Sequence, residues 1–108
     1  MNHMQPETIV KKMFTALKDS LGEEYDRAET QVNSILKTKE ARLKNLSEKR
    51  LHGEISGQEF QSYIEDEKDM LIIELNTLQV IGKASAQRAV NAALGVFNDA
   101  INKALKAL

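Results

Sequence analysis

Cysteine and tryptophan are absent from this 108-residue chain, and proline occurs once. Without cysteine there is no disulfide framework, no thiolate metal site and no cysteine nucleophile. A β-sandwich or barrel needs turn signals about every 8–12 residues, and one proline with five glycines is too few to supply them. Fifteen basic against sixteen acidic residues leave a net charge of −1, so no overall field draws the chain to nucleic acid or to an anionic membrane. No run of about 18 uncharged apolar residues is present, which excludes a transmembrane helix. The apolar stretch Met13–Leu17 lies between Lys12 and Lys18 and is too short for the core of a secretory signal, so the expected location is cytoplasmic. Residues 1–5 are expected to be disordered or a cloning remnant, which would leave His52 as the only native histidine.

What is present is helical periodicity. Hydrophobic residues make up 42% of the sequence, enough for one packed all-helical domain spanning residues 1–108. After Pro6, a residue suited to the first turn of a helix, apolar or small residues fall at Val10, Phe14, Leu17, Leu21, Tyr25, Ala28, Val32, Ile35, Leu36, Leu43 and Leu46. Steps of three and four place them on one face. Rows such as Val10, Leu21, Val32 and Leu43 repeat every eleven residues, a period that keeps a helix nearly straight. Lys39 interrupts the stripe and is expected to snorkel to water. The pattern resumes at Phe60, Ile64, Leu71, Leu75 and Leu78. Within it, Met70–Leu75 is apolar on more than one face, which suggests burial against more than one partner helix. From Gly82 onward alanine dominates, with bulk from Val90, Leu94, Val96, Phe97 and Ile101. That composition favours helix and close approach of a neighbouring backbone.

Between the two halves lies a junction with three concurring signals. Gly53 suits the left-handed position that ends a helix. Ser56 and Glu59 form a capping box for the next, with Ile55 and Phe60 placed as a hydrophobic staple. The letters Gly53, Ile55, Ser56, Glu59 and Phe60, with Leu43 and Leu46 upstream, resemble the G-x-I-[ST]-x-x-E-F segment of the short helical modules called SHOCT domains. The resemblance covers residues 43–71 and implies helix-mediated oligomerisation or docking. The segment lies mid-chain here, whereas such modules normally close a chain.

A turn at residues 52–56 would fold the chain back, setting residues whose numbers sum to about 109 opposite one another. The basic block Lys37, Lys39, Arg42, Lys44, Lys49 and Arg50 would then face the acidic block Glu54, Glu59, Glu65, Asp66, Glu67 and Asp69. Further out, Asp19, Glu23, Glu24, Asp26 and Glu29 would face Lys83 and Arg88. Such pairs specify register more than they stabilise. The basic block has no aromatic residue for stacking bases, which argues against nucleic-acid binding.

Two all-α architectures follow. The leading one is a long antiparallel hairpin of two unbroken helices, about 70 Å long at 1.5 Å per residue, dimerising into a four-helix bundle. The alternative breaks both helices at Gly22 and Gly82 and folds into a compact monomeric four-helix bundle. Ser20 with Glu23, and Ser85, are candidate caps at those breaks.

No residues converge on chemistry. There is no Glu-x-x-His pair, zinc spacing, phosphate loop or nucleophile elbow. Glu74 reads as a rim carboxylate paired with a lysine, and His52 as a cation favoured beside a helix end. The expectation is therefore a non-catalytic structural or adaptor protein without metal or cofactor, acting through helix association with itself, as a dimer, or with a partner helix. The candidate association face is Phe14, Leu17, Leu21, Tyr25, Val32, Leu36, Leu71, Leu75, Leu78 and Phe97. The alternative is membrane-surface binding through the amphipathic segment 83–108, which sets Leu94, Phe97, Ile101, Leu105 and Leu108 opposite Arg88, Lys103 and Lys106.

Overall fold

Where the backbone of this chain turns is set by two glycines, one buried alanine and one capping box. The computed structural model describes residues 5–107. The expected disordered or remnant segment therefore lies, for residues 1–4, outside the described residues, and Gln5 is the N-cap of the first helix. That helix, α1 (Pro6–Leu21), has proline in its first turn, followed by Glu7, and Lys18 in its last turn. This placement suits the helix dipole. It stops at Gly22, whose φ of 58° and ψ of −123° lie in a region that residues with a Cβ rarely enter. A short α2 (Glu23–Arg27) follows, and Ala28 (φ −131°) separates it from α3 (Glu29–Leu51).

At the end of α3 the Gly53 amide donates to the Arg50 carbonyl and the Glu54 amide to the Lys49 carbonyl, with Gly53 at φ 74°. This is the Schellman arrangement that Gly53 predicts. The capping box forms in full: the Glu59 amide donates to Ser56 Oγ at 3.1 Å and the Ser56 amide to Glu59 Oε1 at 2.8 Å. Ile55 packs partly buried against the core and Phe60 is buried, as a staple requires. Helix α4 (Gly57–Asn76) leads through a tight connection, in which Ile81 is buried, to α5 (Lys83–Lys106).

The four long helices form a closed ring in which α1 packs on α5, α5 on α4, α4 on α3, and α3 on α1. The pairing of α1 with α5 is the most extensive. Its cause lies in α5, where Ala86, Ala89, Ala93, Ala100 and Ala104 are buried and let the backbone of α1 approach. Ile9, Val10, Met13, Phe14 and Leu17 fill the space opposite. At the α4–α5 seam the Phe60 and Phe97 rings stack with centroids 5.9 Å apart.

The expectation of two unbroken helices is corrected. The longest dimension is 42 Å, with a radius of gyration of 13.8 Å, close to the roughly 13 Å usual for a compact chain of about 100 residues. The breaks at Gly22 and ahead of Gly82 let the terminal segments fold back, so one chain completes the four-helix layer that the hairpin would have needed a second copy to build. The two breaks lie side by side, since the Gly82 amide donates to Glu24 Oε2 at 3.4 Å. Neither candidate cap at them forms. Ser20 is still inside α1, and α5 begins at Lys83 with Gly82 as N-cap and no side-chain cap.

Candidate functional site

Charge across the α3–α4 seam follows the antiparallel register expected near the turn. Arg42 Nη1 lies 3.1 Å from Glu67 Oε2, and Lys39 Nζ lies 2.8 Å from Glu74 Oε1. Glu74 is thus a carboxylate paired with a lysine. Lys39 does not snorkel: its side chain is only 8% exposed, because the antiparallel partner helix brings a carboxylate to its amine. Glu67 is buried as well, and its Oε1 has no hydrogen-bond partner. The outer half of the charge map differs from the expectation. Glu23 pairs with Arg27 one turn along α2, and Glu24 accepts from the Gly82 backbone. Neither forms an ion pair with Lys83 or Arg88 among the described residues. His52 is exposed, with Nδ1 3.7 Å from Glu54 Oε2.

The association face read from the sequence lies inside the molecule. Phe14, Leu17, Leu21, Val32, Leu36, Leu71, Leu75 and Phe97 are buried in the core, with Tyr25 and Leu78 packed against it. Their apolar surface is covered by the chain's own helices, because the fold-back at Gly22 and Gly82 supplies the partners. Tyr25 also exchanges hydrogen bonds with Asn33 and lies under the Lys18 amine at 5.5 Å. The apolar side of α5 is likewise internal: Leu94 and Ile101 are buried beside Phe97, and Leu105 partly so. Leu108 lies outside the described residues. No helix of the described residues is long and apolar enough to cross a membrane.

Among the described residues no group of three or more histidine, aspartate or glutamate side chains could hold a metal ion. An open depression of about 710 Å³ at the α1–α2 kink is lined by Thr15, Lys18, Asp19, Gly22, Glu23, Tyr25 and Asp26.

One surface feature stands apart. The large apolar side chains left exposed among the described residues are Tyr63, Met70, Ile73 and Val80, at 50%, 41%, 64% and 45% exposure. All fall between residues 63 and 80, and three of them lie on one side of α4. The seven-residue step from Tyr63 to Met70 and the three-residue step to Ile73 make a stripe at coiled-coil spacing. It is distinct from the buried row Phe60, Ile64, Glu67, Leu71 and Leu75. The stripe borders α3: Tyr63 shares a groove of about 320 Å³ with Arg42, Asn45, Leu46, Lys49 and Glu67. The run Met70–Leu75, expected from the sequence to be buried against more than one partner helix, is buried on one face only. One of its faces, through Leu71 and Leu75, enters the core; the other, through Met70 and Ile73, is left uncovered. Comparison with known proteins gives no match to a protein-family model, a curated protein or a solved structure.

Proposed function

We propose that this chain is a non-catalytic helical interaction module that acts by helix association through the outer face of α3 and α4. The observation that carries the reading is the confinement of the exposed large apolar side chains, among the described residues, to residues 63–80. Scattered single apolar residues are ordinary on a protein surface, but an aligned set on one helix marks a contact surface. The remaining apolar stripes are consumed in the core, so association does not require the bundle to open. Cations of α3 beside the stripe, Arg42 and Lys49, provide a polar rim of the kind that surrounds the apolar centre of an interface.

Fractionation of a native extract tests the reading. The wild-type chain is expected to elute in an assembly larger than its monomer. The Met70→Asp, Ile73→Asp double variant should elute at monomer size with an unchanged helical circular dichroism spectrum. Elution of the wild type as a monomer, or of both proteins in the same assembly, would overturn it.

A further inference from the structure

We infer that the occupant of this face is a second copy of the same chain, docked with its α4 parallel to the first about a two-fold axis along the helices. This rests on the reading of the α3–α4 face as a contact surface, and goes beyond it by naming the partner and its orientation. The argument is one of charge on the two flanks. On the side toward α3, the stripe is bordered by Arg42 and Lys49. On the opposite side, helical geometry at about 100° per residue places Asp69 and, further round, Glu65 of α4, while Asp66 falls within the stripe between Met70 and Ile73; all three are exposed. Of these, Glu65 is paired with Lys68, while Asp66 and Asp69 appear in no ion pair among the described residues.

A surface with an apolar stripe, a cationic flank and an anionic flank is self-complementary in one orientation only. When two such helices pack in parallel about a two-fold axis, the left flank of one meets the right flank of the other. In the antiparallel orientation each flank meets its own copy, and cation faces cation. The heights also agree. Arg42 is level with Glu67, to which it is bonded, and Glu67 lies between Asp66 and Asp69 along α4. Parallel docking therefore brings Arg42 of each protomer beside Asp69 of the other, over a seam of Tyr63, Asp66, Met70 and Ile73 paired with themselves. Asp66 lies close to the axis and sets like charges near one another there, so the dimer is a reversible one.

The absence of cysteine from the chain makes the orientation directly testable. Single-cysteine variants Tyr63→Cys and Ile73→Cys are purified, mixed and treated with a short bifunctional maleimide. Parallel docking gives 63–63 and 73–73 links. Predominant 63–73 links would overturn the orientation, and no link above that of an Asp99→Cys control would overturn the dimer. Sedimentation velocity on the purified, unmodified chain supplies a second readout: a concentration-dependent dimer is expected, with its dissociation constant raised at least about tenfold by Ile73→Asp. A strict monomer, or a dimer indifferent to that substitution, overturns the inference. A pure monomer alongside an Ile73-dependent assembly in extract would assign the face to another protein and leave the proposed function standing. Loss of both would remove both.

Discussion

Two glycines illustrate how one missing side chain serves different ends. Gly22 occupies a positive-φ conformation with open space where a Cβ would stand, so its replacement is penalised by backbone strain and not by a clash. Gly22→Ala is expected to lower the unfolding free energy by about 1–3 kcal/mol. Gly95 lies exposed inside α5, again with nothing within 4 Å of a Cβ, and Gly95→Ala should raise stability by about 0.5–1 kcal/mol. Urea denaturation of the two variants side by side checks both signs. The buried carboxylate of Glu67 makes a different demand. Arg42 is its partner and is itself more than half exposed, so the exposed pair member matters through what it leaves behind. Arg42→Ala should cost about 1–3 kcal/mol by stranding the carboxylate, and adding Glu67→Leu to that variant should restore most of the loss. A double variant as unstable as the single one would show that the carboxylate is not the source of the cost.

At the level of the element, the junction between α3 and α4 was readable because every signal in it is local. Gly53, Ser56, Glu59 and Phe60 satisfy donors and acceptors within six residues of themselves, and the structure contains each of those bonds. Ser56→Ala should therefore destabilise by about 1 kcal/mol, with the loss seen first as faster amide exchange in the first turn of α4. The same letters at Ser20 and Glu23 make no cap. There Gly22 ends α1 only after Ser20 has already joined the helix, so the spacing is present and the required extended backbone is not. The break at Ala28 carries no sequence signal at all: it is neither glycine nor proline, and the residue is buried. Lys39 was misplaced for a related reason. Its surroundings depend on Glu74, which is 35 residues away and meets it only when α3 and α4 pair.

For the whole molecule, periodicity located the apolar faces but not what covers them. The rows through Phe14, Leu36 and Leu75 are the same whether a second copy or the chain itself lies opposite. Only the geometry at Gly22 and Gly82 decides, by turning α1 and α5 onto each other. Once those rows are internal, the aligned apolar surface that remains exposed among the described residues is the α4 stripe, on which the proposed association rests. The central claim is that this stripe, and no other face, is where the protein meets its partner. Photo-cross-linking from a benzophenone side chain placed in turn at positions 63, 70, 73 and 80, and at exposed positions 12, 40, 88 and 99 on other faces, tests it most directly. Adducts confined to the first set are the predicted result; adducts distributed equally over both sets, or formed from the second set alone, would contradict it.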